Sequence, residues 1–269
     1  MKITFLGGGN MASALIGGML KQGFAPQDIA VVELSEEGRA RLVSQFGVRT
    51  AGSLTGEVVD CDVLVLAVKP QQMQAALAPL AGRMSRQTVV SIAAGTLLAS
   101  VSKWLGGHTR IVRAMPNTPA LIGQGVTGLF ADPSVSADER AAVERVIGAV
   151  GTSVWVDAES LIDVVTAVSG SGPAYVFYFI EALQAAGEAQ GLPADTARTL
   201  ALQTFTGSSA LAAGSAEPCS VLRERVTSKG GTTEAALRSM GQDGLPALIA
   251  RAVAAATERG RELGRQSQD

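Results

Sequence analysis

The chain has 269 residues, of which 47% are hydrophobic and 17% charged, so it can bury a substantial core and is not intrinsically disordered. A formal net charge of −2 provides no basic footprint for nucleic acid. Two widely separated cysteines, Cys61 and Cys219, argue against a disulfide scaffold or a zinc site, and no apolar run is long enough to span a membrane. We therefore expect a cytoplasmic protein that binds neither nucleic acid, membrane nor metal.

Short β-branched runs alternate with helix-length segments through the first half of the chain. This rhythm predicts a parallel sheet covered by helices. The predicted strands are Ile3–Leu6, Ile29–Glu33, Val63–Ala67, Thr88–Ser91 and Ile111–Ala114, followed by Val126–Phe130 and Ser153–Val156. A helix from about Ala137 to Val150 separates the last two strands.

The composition changes after Asp157, where alanine, leucine and glutamine dominate and strand-like runs disappear. The predicted helices are Glu159–Val168, Ala174–Gln190, Pro193–Ala213, Ser220–Val226, Thr233–Met240 and Gly244–Gly264. The sequence thus predicts two domains, an α/β domain over residues 1–157 and an all-α domain over residues 158–269.

A glycine-rich turn follows the first strand directly and begins a helix. Gly7, Gly9 and Ala12 fit the G-x-G-x-x-A pattern, with Asn10 and Met11 between them. Gly7 would make the tight turn, Gly9 would admit a pyrophosphate, and Ala12 would keep helix and strand close. In this context the motif predicts a Rossmann-type domain that binds NAD or NADP, the alternative being a glycine turn without a ligand.

The residues after the second strand bear on the choice of coenzyme. Glu33 stands where an acidic side chain usually accepts hydrogen bonds from the ribose hydroxyls of NAD, and it would repel a 2′-phosphate. Ser35, Arg39 and Arg41 lie close behind and could form a phosphate pocket. The sequence therefore leaves both NADH and NADPH open.

Two further loops follow strands at the edge where open parallel sheets bind ligands. Ala67, Val68, Lys69 and Pro70 form the first, in which Lys69 could face the coenzyme or be an ordinary surface lysine. Asn117 lies in the second, a loop of sequence MPNTP whose two prolines would hold it in place. There Asn117 could hydrogen-bond a nicotinamide amide or a substrate, or could be a simple turn residue.

The most informative segment is TSKGGTTE, in the second half of the chain. The N–H groups of Gly230, Gly231 and Thr232 could point into one concavity at a helix start, edged by the hydroxyls of Ser228, Thr232 and Thr233. Such a pocket suits a carboxylate or a phosphate. The alternative is a glycine-containing loop with a Ser/Thr cap.

Five segments together resemble pyrroline-5-carboxylate reductase. They are GGGNMA, AVKP, MPNTP, SGSGPAY and a signature that runs from Pro218 to Met240, in the order and at the spacing of that family. The resemblance covers nearly the whole chain. It departs from the family at Lys229, where many members have proline, and at Gly241, which replaces a polar residue; we expect Lys229 to loosen the loop.

The resemblance implies reduction of L-1-pyrroline-5-carboxylate to L-proline by NADH or NADPH, the last step of proline biosynthesis. It also implies a helical C-terminal domain that interlocks with a second subunit, in dimers or in rings of dimers. By that likeness, the active site lies between the coenzyme domain and the helices of the partner.

The chain offers little for an alcohol dehydrogenase, which needs a general base. Its one histidine, His108, lies in a loop before the fifth strand. A cyclic imine asks for less, because its nitrogen arrives protonated and the enzyme need only position the ring and stabilise that nitrogen. Ser228 and the N–H groups of the glycine loop would hold the substrate carboxylate, and Thr233 is the candidate catalytic partner of the ring nitrogen.

The sequence leaves two alternative functions open. A hydroxyacid dehydrogenase of the 6-phosphogluconate type would use a lysine on the helical domain, and Lys229 is the one lysine there. A coenzyme-binding regulatory module would keep GGGNMA but has no need of TSKGGTTE. A substrate panel separates the first reading from the reductase, and an assay of NAD(P)H oxidation separates the second.

Overall fold

A computed structural model describes residues 1–54 and 59–266 and divides the chain into two compact units. The first unit is Met1–Ser171 together with the chain from Ala255 onward, and the second is Gly172–Ala254. The predicted division after Asp157 does not coincide with these units. It stays a prediction about functional domains.

Eight strands of the described residues form one sheet in the first unit. They are β1 (Ile3–Leu6), β2 (Ile29–Val32), β3 (Arg49–Ala51), β4 (Val63–Leu66), β5 (Thr88–Ser91), β6 (Ile111–Met115), β7 (Gly125–Ala131) and β8 (Gly151–Trp155). The strand order is β3-β2-β1-β4-β5-β6-β7-β8. Its first six strands have the order of the doubly wound nucleotide-binding fold, which confirms the predicted α/β class.

Two strands, β7 and β8, run against the predicted parallel direction. Strand β7 is antiparallel to β6, whereas β7 and β8 are parallel to each other. The segment between Met115 and Gly125 is too short for the crossover that a parallel neighbour requires. The short edge strand β3 was not predicted, because three residues carry no periodic signal.

Helices cover both faces of this sheet. They are α1 (Asn10–Lys21), α2 (Glu36–Phe46), α3 (Pro70–Leu77), α4 (Leu98–Trp104), α5 (Ala137–Ile147) and α6 (Leu161–Val165). Helix α1 buries Ala12, Leu15, Ile16 and Met19, whose spacing places them on one helical face. These residues join Phe5 in an apolar cluster on one side of the sheet, and a second cluster lies on the other side.

The second unit is helical, as the sequence predicts. Its helices are α7 (Gly172–Ala189), α8 (Ala194–Ala213), α9 (Cys219–Arg225), α10 (Thr232–Gln242) and the first part of α11 (Leu245–Gln266). Helices α7 and α8 form a hairpin through Gly191, whose φ of +99° favours glycine. Within the described ranges, none of the helices combines the length and the apolarity needed to cross a bilayer.

The last part of α11 returns to the first unit, where it packs through glycines. A Cβ at Gly260 would lie 3.4 Å from Cβ of Asp163, and a Cβ at Gly264 would lie 3.4 Å from Cδ2 of Leu97. Both distances are ordinary van der Waals contacts. The α/β unit is therefore completed by residues from the far end of the described chain.

Candidate active site

The turn after β1 lies against the loop after β4, at the point where the strand order reverses. Gly7 has a φ of +102°, and a Cβ on it would lie 2.8 Å from the carbonyl oxygen of Ala67. The N–H of Ala67 in turn donates to the carbonyl of Leu6 at 2.8 Å. The structure thus brings GGGNMA and AVKP together at the carboxyl edge of the sheet, where dinucleotides bind in this fold.

Helix α1 begins in a way that suits a bound anion. Its N-cap is Gly9, in an extended conformation, and among the described residues no side chain caps it. A Cβ on Gly9 would meet no heavy atom within 4 Å, so the space beside this backbone is open. Asn10 and Met11 form the first turn, and Ala12 is fully buried. The unpaired N–H groups and the open backbone fit a pyrophosphate.

Glu33, which directly follows β2, holds the turn after β1 in place through hydrogen bonds. Its Oε2 accepts the N–H of Gly8 at 3.0 Å, and its Oε1 accepts the N–H of Ser35 at 3.0 Å. Arg41 Nη2 donates to the carbonyl of Gly8 at 2.8 Å, so the backbone of Gly8 is held on both its N–H and its C=O. The sequence predicted Glu33 beside a ribose, which stays a prediction, and did not indicate its hydrogen bond to Gly8.

Arg39 is fixed next to the same strand end. Its Nη1 donates to the carbonyl oxygens of Glu33 and Leu34, each at 2.8 Å. Ser35 Oγ caps α2 by accepting the N–H of Gly38 at 3.1 Å. Arg39 and Arg41 thus place two guanidinium groups beside Glu33, next to a helix whose first turn also carries Glu36 and Glu37.

The other predicted coenzyme residues lie at the same edge. Lys69 is exposed at the N-cap position of α3, where its side chain makes no cap hydrogen bond; Pro70 is the first helical residue and Val68 is half-buried. Asn117 is buried, and its Oδ1 accepts the N–H of Val126 at 3.0 Å, which ties the loop to the start of β7. This bond uses the side-chain oxygen of Asn117, so the group left to donate to a ligand is Nδ2.

A buried ion pair links β6 to α6 in the same unit. Arg113 on β6 is 1% exposed and donates to Asp163 Oδ1 at 2.8 Å, with Glu159 Oε1 at 3.5 Å. Glu159 also accepts the N–H of Leu98 at the start of α4. Sequence reasoning missed this network, although a lone arginine inside an apolar strand was a visible signal.

His108 lies away from this edge. It precedes β6, at the amino ends of the strands, and its Nε2 is 2.9 Å from the carbonyl oxygen of Gln87. Burial lowers the pKa of the imidazole below its ordinary value. The described residues also contain no group of three or more His, Cys, Asp and Glu side chains gathered as a metal would require.

In the second unit, a tight turn precedes α10. We name Ser228–Gly231 the glycine turn. The N–H of Gly231 donates to the carbonyl of Ser228 at 3.0 Å, and Gly230 has a φ of +73°. Because Lys229 does not have a positive φ, these features define a type II turn with Lys229 and Gly230 at its centre.

The turn uses two of the N–H groups predicted to hold an anion. Gly230 donates to Glu234 Oε2 at 2.7 Å and Gly231 donates to Ser228, so neither N–H is free for a ligand in this arrangement. Helix α10 begins at Thr232 with Gly231 as its N-cap, and among the described residues no side chain caps it. The N–H groups of Thr232 and Thr233 therefore remain available at the helix start.

Ser228 and Thr233 flank this helix start. A Cβ on Gly231 would lie 2.5 Å from Ser228 Oγ, so the serine hydroxyl sits directly over the glycine that precedes the helix. Thr233 is half-buried at the second helical position. The predicted hydroxyl groups thus lie at the same helix N-terminus as the free N–H groups.

Comparison with known proteins finds matches for both parts of the chain. A family model described as "Pyrroline-5-carboxylate reductase dimerisation" matches residues 159–263, and one described as "NADP oxidoreductase coenzyme F420-dependent" matches residues 2–95. The pyrroline-5-carboxylate reductase of Pseudomonas aeruginosa is 45% identical over 98% of this chain and 97% of its own length. The chain belongs to the pyrroline-5-carboxylate reductase family.

Solved structures of pyrroline-5-carboxylate reductases agree with this assignment. The Coxiella burnetii enzyme is 40% identical, covers 97% of this chain and 98% of its own, and has a TM-score of 0.93. The Plasmodium falciparum enzyme, solved with NADP bound, is 29% identical with a TM-score of 0.84, over 98% of each chain. The predicted family and fold class are confirmed.

Proposed function

We propose that this chain reduces L-1-pyrroline-5-carboxylate to L-proline with NADH or NADPH, the last step of proline biosynthesis. The observation that carries the proposal is 45% identity to a pyrroline-5-carboxylate reductase over almost the full length of both chains. The site residues support it, since the chain combines a dinucleotide turn with a second, uncapped helix start that suits a carboxylate.

The substrate carboxylate binds at the start of α10 in this proposal. The N–H groups of Thr232 and Thr233 donate to it together with Ser228 Oγ, while Gly230 and Gly231 shape the turn. The positive end of the helix dipole adds to this binding. The hydroxyl of Thr233 hydrogen-bonds the ring nitrogen as the hydride arrives at the adjacent carbon.

The chemistry needs no strong acid or base from the protein. The coenzyme supplies the hydride, and the protonated imine needs only orientation and a partner for its nitrogen. After hydride transfer the ring nitrogen is a neutral amine, and in this proposal the proton that it then takes up comes from water through Thr233, because a threonine hydroxyl is too weak an acid to supply one alone. The position of His108, at the amino ends of the strands, fits a mechanism without histidine.

For the coenzyme, we propose that NADH and NADPH are both used. The Glu33 carboxylate retains lone pairs that can accept the ribose hydroxyls of NADH after binding Gly8 and Ser35. Arg39 and Arg41 supply the positive charge that a 2′-phosphate requires. Arg39→Ala should therefore raise the KM for NADPH while changing the KM for NADH little.

We also propose a homodimer, alone or as the unit of a ring of dimers, in the cytoplasm. Helix α7 buries none of its residues, and Phe177 and Tyr178 are 67% and 70% exposed. A second copy would cover this apolar face. An active, monodisperse monomer in light scattering at low protein concentration would reject this assembly.

One assay tests the proposed reaction. The purified protein is given pyrroline-5-carboxylate with NADH or NADPH, and coenzyme oxidation is followed while L-proline is identified by mass spectrometry. Hydroxyacids with the oxidised coenzymes serve as the control panel for a dehydrogenase that uses Lys229. Turnover of a hydroxyacid without reduction of pyrroline-5-carboxylate would favour that rival, and coenzyme binding with no turnover would favour a regulatory module.

A further inference from the structure

The glycine turn lacks one of the restraints that type II turns commonly have. Gly230 supplies the positive φ that the third turn residue requires. The second position favours proline, whose ring fixes φ, yet here it is Lys229. Since a lysine does not fix φ, a further contact would stabilise this turn in one conformation.

Glu234 supplies such a contact from the first turn of α10. Its Oε2 accepts the N–H of Gly230 at 2.7 Å, a short hydrogen bond to a carboxyl oxygen. The side chain reaches back past the N-cap, Gly231, to the residue before it. This differs from a capping box, in which the glutamate binds the N-cap residue itself.

The Gly230 N–H, which Glu234 accepts, belongs to the peptide bond whose orientation distinguishes type I from type II turns. Types I and II differ mainly by a flip of the central peptide, here the one between Lys229 and Gly230. In the flipped peptide, the Gly230 N–H would point away from Glu234. We propose that Glu234 is a positioning residue that selects the type II form and replaces the restraint missing at Lys229.

The consequence concerns the proposed substrate site, and the proposal rests on that assignment. The turn places Ser228 Oγ against Gly231, immediately before the free N–H groups of α10. If the central peptide flips, the carbonyl oxygen of Lys229 takes the place of the Gly230 N–H beside the helix start, where an acceptor oxygen repels a carboxylate. Glu234 then controls how well the carboxylate is bound without touching the substrate.

The test is a cycle of variants at the two positions. Glu234→Ala should raise the KM for pyrroline-5-carboxylate about five- to tenfold, with kcat nearly unchanged. Glu234→Gln keeps an acceptor oxygen and should stay within about threefold of wild type. Lys229→Pro should restore most of the KM in the Glu234→Ala background and change the wild type little.

Two readouts independent of turnover accompany the kinetics. The coenzyme dissociation constant, measured by NADPH fluorescence, should be the same in all variants. Hydrogen exchange of the peptide that contains the glycine turn should accelerate in Glu234→Ala and slow again when Lys229→Pro is added.

The outcomes separate this inference from the proposed reaction. If the wild type does not reduce pyrroline-5-carboxylate, the proposed reaction is wrong. If the variants nevertheless show the expected changes in hydrogen exchange, the positioning role of Glu234 is supported. An active wild type whose Glu234→Ala variant matches it in KM and exchange would overturn the role of Glu234. Failure of Lys229→Pro to restore either quantity would overturn the compensation between the two residues.

Discussion

The turn after β1 and the glycine turn before α10, one in each unit, have a similar local structure. Each leads into a helix whose N-cap is an extended glycine, Gly9 before α1 and Gly231 before α10, and neither cap has a side-chain hydrogen bond among the described residues. In each, a glutamate oxygen accepts the N–H of the residue before the cap, Gly8 or Gly230. Both helix starts are thus left open for an anion.

They differ in what holds the glutamate. Glu33 is 25 residues from Gly8 and reaches it because β2 lies beside β1 in the sheet. Glu234 is four residues from Gly230, on the first turn of the same helix. The turn after β1 is therefore fixed by tertiary packing, whereas the glycine turn before α10 depends on local contacts.

We expect the largest effect from a substitution in the turn after β1. Gly7→Ala adds a Cβ to a residue whose φ is +102°, and this Cβ lies 2.8 Å from the carbonyl oxygen of Ala67. Because that oxygen belongs to the backbone, it cannot move away without disturbing the strand end. Strain of this kind costs about 1–3 kcal/mol. We expect a melting temperature lower by several degrees and a coenzyme dissociation constant raised by at least about a hundredfold, measured by calorimetry and fluorescence.

Gly9→Ala is the matched control for that variant. Its Cβ meets nothing within 4 Å and its φ is −71°, so the fold should accept it with an unchanged melting temperature. Coenzyme binding should still weaken, because the methyl group occupies the space of the pyrophosphate. Tight coenzyme binding by Gly9→Ala would show that the phosphates lie elsewhere.

The next effect tests the chemistry of the second turn. Thr233→Ala should lower kcat/KM roughly ten- to a hundredfold, because one hydrogen bond to the reacting nitrogen is worth about 1–3 kcal/mol. Coenzyme affinity should stay nearly unchanged, and Thr233→Ser should retain most activity. Equal activity of Thr233→Ala and wild type would reduce Thr233 to a residue of the helix start.

A third prediction compares the two glutamates directly. Glu33→Gln replaces one acceptor oxygen by an NH₂ group, although Gly8 and Ser35 each require an acceptor. We expect the dissociation constants of NADH and NADPH to rise about tenfold. Glu234→Gln, which faces one donor, is the control and should bind both coenzymes like wild type. A rise for NADH alone would instead indicate that Glu33 acts only on the ribose.

The smallest effect concerns Ser228. Its hydroxyl contributes one of several contacts to the carboxylate in the proposed complex, and these contacts are made equally in the ground and transition states. Ser228→Ala should therefore raise the KM for pyrroline-5-carboxylate several-fold and leave kcat almost unchanged. Steady-state kinetics with varied substrate checks this, and a loss confined to kcat would contradict it.

The sequence predicted the regular parts of the molecule because their signals are local. The predicted helix at Pro193–Ala213 begins one residue before α8 and ends with it, since its glycine–leucine–proline start and its apolar spacing lie within one segment. GGGNMA likewise carries its strand, turn and helix together. Such features are determined by neighbours along the chain.

What the sequence did not predict depends on distant residues. The direction of β7 follows from the length of one loop, and Arg113 is buried because Asp163 meets it from α6. The role of Glu33 at Gly8 requires two strands to be adjacent. Glu234 was within reach of sequence reasoning, but a positive φ at Gly230 had to be known first.

The return of α11 to the first unit has a consequence for biosynthesis. Gly260 and Gly264 contact Asp163 and Leu97, yet the ribosome adds them only after the whole of Gly172–Ala254. At translation rates of about 5–20 residues per second, the nascent α/β unit waits several seconds for these contacts. During that interval, the surface around Asp163 and Leu97 that the last part of α11 covers stays exposed.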